Sequence, residues 1–131
     1  MNLLLDTQTL LWWREGSRRL GPRARAAIEY RAVAVRVSAV SAWEIAIKLQ
    51  SGRLKLREPL ERWMPAAVEG SGFGTLAVTM THAIAVASLP IHHADPFDRL
   101  LIVQAQIENL TIVTSDTAFG RYDVTILDAR T

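Results

Sequence analysis

The sequence predicts an α/β fold, a central parallel β-sheet flanked by helices, and three observations carry that prediction. Short apolar runs of strand length alternate with longer stretches of helical period along the whole chain. The first run, Asn2 to Asp6 (NLLLD), is continuously apolar and ends in an acid, as expected of a strand buried on both faces. No repeat, low-complexity tract or linker interrupts the 131 residues, a length that suits one domain over 1–131 with a core of its own.

Each element follows from its own residues. Thr7 to Trp13 reads as a helix. Gly21 and Pro22 introduce a second, through about Tyr30, with proline where the missing N–H does no harm. Val33 to Val37, rich in β-branched residues, is the next strand. Ser41 to Leu49 (SAWEIAIKL) reads as a helix whose Ser41 and Glu44 resemble a capping box, ended by Gly52. Pro59 opens another helical stretch that Pro65 is expected to kink or divide. Leu76 to Thr79 is a short strand, and Thr81 caps a helix to about Ser88. After Pro90 comes the loop IHHAD, then a helix from Pro96 to about Asn109 and the strand Thr111 to Thr114. Val124 to Leu127 reads as a last strand, at an edge.

Composition limits the function. No cysteine is present, which excludes disulfides, thiolate zinc sites and a thiol nucleophile and suits a reducing cytosol. Asp6 and Gln8 interrupt the apolar N-terminus and no basic stretch precedes it, so a soluble cytoplasmic protein is expected, with neither signal peptide nor membrane span. The net charge is only +2, yet 13 of the 15 cations are arginine, a bias that suits phosphate contacts weakly and is more simply read as genome composition.

The acids sort by their surroundings. Glu15, Glu29, Glu58, Glu61, Glu69 and Glu108 lie among polar neighbours and read as solvated faces. Asp6 and Asp116 instead stand at the carboxyl ends of apolar strands, while Glu44 and Asp98 each fall in the first turn of a helix that follows a loop. In open parallel sheets, ligands bind in the crevice outside those carboxyl ends, so all four acids can face one crevice. Each also has a plainer reading. Asp6 and Asp116 can be N-caps of the helices that follow, and Glu44 can be the partner of a capping box. In Asp95-Pro96-Phe97-Asp98, Asp95 reads as the N-cap, Pro96 as N1 and Asp98 as N3, which leaves Asp98 free to face the crevice while the helix dipole favours both anions.

Carboxylates gathered at low dielectric either raise their pKa values or recruit cations. A donor set of oxygen alone favours a hard ion, Mg²⁺ or Mn²⁺. His82, His92 and His93 match no zinc spacing, and the adjacent pair reads as loop or phosphate-contact residues. No phosphate loop, Gly-x-Gly-x-x-Gly or Gly-x-Ser-x-Gly is present, which removes phosphate-loop nucleotide hydrolysis and serine hydrolysis. A haloacid-dehalogenase-like phosphatase wants a second acid at position 8, which is Gln8. A receiver domain wants an early acidic pair and a late lysine, and here the lysines, Lys48 and Lys55, lie mid-chain.

Four segments, LLLDT at 3–7, SAWEIAIK at 41–48, HHADPFDRLLIVQAQ at 92–106 and IVTSD at 112–116, together resemble a PIN domain of the VapC type, the toxin half of a type II toxin–antitoxin pair. The likeness covers essentially the whole chain. It implies a metal site built from Asp6, Glu44, Asp98 and Asp116, supported by the hydroxyl of Thr114 or Ser115, with Asp95 a less essential acid. It implies an endoribonuclease using one or two Mg²⁺ (or Mn²⁺) ions and leaving a 5′-phosphate and a 3′-hydroxyl. Setting the four acids aside leaves a charge of +6 on the remaining body, in which Arg99, Arg14, Arg18, Arg19, Arg53 and Arg57 are candidates for an RNA backbone track. The likeness also implies homodimers and a cognate VapB-type antitoxin whose helix fills an apolar groove, to which Trp12, Trp13, Trp43 and Trp63 are candidate contributors. A PIN fold that binds RNA or a partner without cutting, and a DNA nuclease with the same metal logic, are the competing readings.

Overall fold

The computed structural model describes residues 1–131. Five strands and six helices alternate: β1 (Leu3–Leu5), α1 (Thr7–Glu15), α2 (Pro22–Glu29), β2 (Val35–Ser38), α3 (Ala39–Gln50), α4 (Leu60–Val68), β3 (Gly74–Leu76), α5 (Met80–Ala85), α6 (Pro96–Glu108), β4 (Thr111–Thr114) and β5 (Ile126–Asp128). All neighbouring strands are parallel, in the order β3-β2-β1-β4-β5. The predicted α/β architecture is therefore the observed one.

The strand pleat divides the core into two layers. Leu3 and Leu5 point into one, with Leu10, Trp12, Ile28, Ile45 and Trp63. Leu4 points into the other, with Leu101, Ile102, Ile112 and Phe119. All three leucines are fully buried, each worth about 1.5–3 kcal/mol of transfer free energy. This is why β1 reads as an unbroken apolar run. Sheet order then reverses between β1 and β4, which opens a crevice at their carboxyl ends.

Several boundaries differ from expectation. Helix α3 starts at Ala39, capped by Ser38, whose hydroxyl accepts from the Val40 amide at 3.1 Å. There is no capping box at Ser41, and Glu44 lies in the second turn. The chain passes from β2 into α3 without a loop, and the apolar Val37 and Val40 on either side mask the transition in sequence. Helix α5 is capped by Thr79, not Thr81, with His82 completing the box: its Nδ1 accepts from the Thr79 amide at 3.1 Å. Two threonines at adjacent even spacing offered no local basis for choosing. Strand β3 precedes the expected Leu76–Thr79, while β2 and β5 each begin two residues later than expected. Pro65 sits within an uninterrupted α4; the carbonyl it leaves without a donor belongs to exposed Glu61, where water serves.

A buried polar chain sets α6 against the sheet. Ser38 Oγ donates to Gln104 Oε1 at 2.6 Å, and Gln104 Nε2 donates to the Ala77 carbonyl at 3.2 Å and toward His82 Nδ1 at 3.3 Å. His82 Nε2 in turn donates to Glu108 at 3.0 Å. No buried side-chain polar atom lacks a partner.

Candidate metal centre

The centre is built outward from β1 and β4. Their register pairs Leu5 with Val113, so Asp6, one step beyond, comes level with Thr114. Asp6 is 6% exposed, its amide donates to the Val113 carbonyl at 3.1 Å, and its Oδ1 caps α1 by accepting from the Thr9 amide at 2.8 Å. Burial raises its pKa, against the lowering effect of the Thr114 and Thr9 hydroxyls and the Thr9 amide, while the Glu44 charge raises it further. Asp6 is thus both a cap and a carboxylate held in the crevice at an electrostatic cost.

Glu44 reaches the crevice from α3 and is 4% exposed. The Thr7 hydroxyl donates to its Oε1 at 2.7 Å, and Lys48, one turn on, places Nζ 2.7 Å from Oε2. Thr7 Oγ1 also lies 3.0 Å from Ser41 Oγ, the contact that replaces the expected capping box.

Asp98 enters from the first turn of α6, which is capped by Asp95, as the sequence predicts: the Asp98 amide donates to Asp95 Oδ1 at 3.0 Å. Its own carboxyl is pushed up to about 7, chiefly by burial, with the charges of Asp95, Glu44 and Asp6 adding and a hydrogen bond to His93 opposing. Asp116 is more exposed and caps the 3-10 turn after β4 through the Ala118 amide at 2.9 Å, while Thr114 Oγ1 accepts from the Asp116 amide at 3.0 Å. Thr114 is buried between the two aspartates, whereas Ser115 makes no side-chain hydrogen bond.

His93 was read from sequence as a loop or phosphate-contact residue, and the structure turns it into the cluster. Its Nε2 lies 2.8 Å from Asp98 Oδ2 and 3.4 Å from Asp116 Oδ2. One donor atom from each of His93, Asp98 and Asp116 lies within 4.8 Å of the others. The available signal was the step from His93 to Asp98 across the Asp95 cap, since residues just ahead of a cap fold back over the first turn.

Arg99 does not face the crevice as an RNA contact. Its guanidinium donates to the carbonyls of Pro90 (2.9 Å), Leu89 (3.2 Å) and Val86 (3.4 Å) and to the Tyr122 hydroxyl at 3.3 Å. Arg14 pairs with Glu58 at 3.8 Å and Arg53 bonds Ser51, while Arg18, Arg19 and Arg57 are exposed and free of side-chain partners. The expected tryptophan groove is also corrected. Trp12 and Trp63 are core residues, and Trp13 is packed on Phe73 with its Nε1 donating to Ser71. Only Trp43 faces out, 56% exposed and edge-on to Phe97. A cavity of about 580 Å³ between Arg14, Lys55, Arg57 and Glu58 holds none of the four acids. Thr114, Ser115 and Asp116 border a separate groove of about 240 Å³.

A crevice at the reversal point of a five-stranded parallel sheet, edged by acids from four separate elements, defines the class of protein. The family model described as PIN domain matches residues 3–124, and the chain belongs to the PIN domain family. The structure is similar over nearly its whole length to three solved complexes. One is VapBC2 from Rickettsia felis bound to a DNA fragment from their promoter (TM-score 0.71, 14% identity, 97% of this chain and 98% of that chain). DNA-bound VapBC from Salmonella typhimurium matches with a TM-score of 0.68 and 20% identity, over 98% of both chains. FitAcB from Neisseria gonorrhoeae matches with a TM-score of 0.64 and 20% identity, over 97% of both chains. No curated protein matches the sequence significantly. No helix is long and apolar enough to cross a membrane.

Proposed function

We propose that this protein is a Mg²⁺- or Mn²⁺-dependent endoribonuclease, the toxin of a type II toxin–antitoxin pair, working in the cytoplasm. The observation that carries the reading is the group His93, Asp98 and Asp116, whose ligand atoms lie within 4.8 Å of one another, with the charges of Glu44 and Asp6 also acting on Asp98, whose carboxyl burial pushes up to about 7. Such a cluster is costly as bare anions and suits a divalent cation. Membership of a family whose domains are generally nucleases supports the same reading.

Asp6, Asp98 and Asp116 are the residues that would hold the ion, with Glu44 reaching it through water or orienting the attacking water. A bound divalent ion supplies Lewis acidity, acidifying water and offsetting charge that gathers on the phosphate. Thr114 keeps Asp6 and Asp116 in place from between them, and Thr7 fixes the Glu44 carboxylate. Attack of water on phosphorus with departure of the 3′-oxygen leaves a 5′-phosphate and a 3′-hydroxyl. Of the six arginines singled out in the sequence, Arg18, Arg19 and Arg57 keep their side chains free for an RNA backbone.

The partners proposed are RNA, a second copy of the chain and a VapB-type antitoxin, the last supported by the VapBC complexes whose fold this chain shares. The test is incubation of antitoxin-free protein with total RNA in Mg²⁺, Mn²⁺ or EDTA, beside Asp98→Asn. Discrete fragments that need both metal and Asp98 are expected. Intact RNA from folded, metal-loaded protein would transfer the assignment to a binding module, and cleavage of DNA in its place to a DNA nuclease.

A further inference from the structure

We propose that His93 supplies a nitrogen ligand to the ion held by Asp98 and Asp116, so that the centre is a mixed nitrogen–oxygen site with a preference for Mn²⁺ over Mg²⁺. The inference rests on the metal-dependent reading above and adds a residue that the four-acid pattern leaves out.

The first argument is geometric. Adjacent ligand atoms on an octahedral ion with bonds of about 2.1 Å lie about 3 Å apart. His93 Nε2 stands 2.8 Å from Asp98 Oδ2, a hydrogen bond in the metal-free protein, and 3.4 Å from Asp116 Oδ2, on either side of that spacing, so an ion bound there would replace the proton of that hydrogen bond. A histidine meant for phosphate would turn its nitrogen outward; this one is 21% exposed and aims between two carboxylates.

The second argument is that the ring is held there. Arg99 and Tyr122 fasten the loop that carries it: Arg99 donates to the carbonyls of Leu89 and Pro90, its guanidinium lies 3.5 Å from the His93 carbonyl, and the His92 amide donates to the Tyr122 hydroxyl at 3.0 Å. Phe119 walls the ring at a centroid distance of 6.1 Å. An arginine beside the crevice whose donors go to carbonyl oxygens contributes little to phosphate binding. It acts as a positioning residue for His93, and supporting groups of this kind are what fix a ligand's orientation.

The third argument is charge. Asp98 already carries the repulsion of Asp95, Glu44 and Asp6. A neutral imidazole adds a donor atom without adding to that repulsion, which a further carboxylate would do. Imidazole is also a softer donor than carboxylate, and among hard-to-borderline ions it favours Mn²⁺ relative to Mg²⁺.

Pulsed EPR of Mn²⁺ added to the full-length protein reads the ligand directly through ¹⁴N coupling. Wild type and His92→Gln should both show one imidazole nitrogen on bound Mn²⁺, and His93→Gln should lose it. His93→Gln should also weaken Mn²⁺ binding at least as much as the roughly 10–100-fold that loss of an outer-shell partner costs, with Mg²⁺ affinity less affected. Bound Mn²⁺ without ¹⁴N coupling in wild type would overturn the role of His93 while leaving the metal reading intact. Failure of Mn²⁺ to bind wild type at all would overturn both. The wild-type spectrum decides the matter even if His93→Gln does not fold.

Discussion

Lys48 Nζ lies 2.7 Å from Glu44 Oε2, so the one acid of the cluster that comes from mid-helix is already neutralised by an ammonium a single turn away. The pair joins a buried carboxylate to a lysine that is 38% exposed, and the Thr7 hydroxyl takes the second carboxylate oxygen. Removing the cation would leave Glu44 buried with one hydroxyl partner. Lys48→Met is therefore expected to destabilise metal-free protein by about 1–2 kcal/mol, less than a fully buried pair because water reaches the lysine. Excess Mn²⁺ should shrink the loss by supplying positive charge nearby. Urea unfolding with EDTA and with Mn²⁺ measures both, and equal stability of wild type and variant in EDTA would reduce the pair to a surface contact.

The raised acids give the metal-free protein an inverted pH response. Asp98 moves from its ordinary value of 3.8 to about 7, and burial raises Asp6 in the same direction. Between about 4 and about 7 the folded state keeps a proton that the unfolded chain has released, so this contribution to stability falls as pH rises. Above about 7 the full penalty remains; below about 4 both states are protonated and it vanishes. The groups facing Asp98 are His93 from the loop, Asp95 on its own helix, Glu44 from α3, Asp6 from the end of β1 and Asp116 from beyond β4. Asp98→Asn, which cannot ionise, should match wild type near pH 4 and melt higher at pH 8 in EDTA. Parallel melting curves for the two proteins across that range would count against the raised carboxyl.

The C-terminal segment is closed over a glycine. The Gly21 amide donates to the Ala129 carbonyl at 2.8 Å, and a Cβ at Gly21 would sit 2.2 Å from the Thr131 carbonyl carbon and 2.4 Å from the Arg130 oxygen. Both are backbone atoms, with no flexible side chain to give way. Gly21→Ala should destabilise by about 1–3 kcal/mol through displacement of that segment. Thermal melting by circular dichroism tests this, and an unchanged midpoint would mean the segment moves aside freely.

The positions of the candidate acids were legible because they stand beside strong local signals. Asp6 and Asp116 follow the apolar runs Leu3–Leu5 and Thr111–Thr114, and Asp98 follows an Asp-Pro helix start. Glu44 was found by position but misplaced in its helix, because the apolar residues flanking Ser38 conceal where strand becomes helix. The contacts of His93 and Lys48 with these acids were missed: for His93 the only local signal was its step to Asp98 across the Asp95 cap, and a lysine in a helix carries no mark of what it faces. Gln104 and His82 were equally silent, since a polar residue buried by long-range hydrogen bonds looks like any solvated one.

By itself the sequence determined the alternation of strands and helices, the two-sided burial of β1, the Asp95 cap with Pro96 at the first helical position and the acids at strand ends. All of these rest on periodicity and on residues within a few positions of one another. Only the tertiary structure decided that His93 turns between Asp98 and Asp116, that Lys48 answers Glu44, and that Arg99 is committed to carbonyl oxygens rather than open to phosphate. Those relations depend on sheet order and on the low dielectric where distant segments meet, and neither can be read from the local chain.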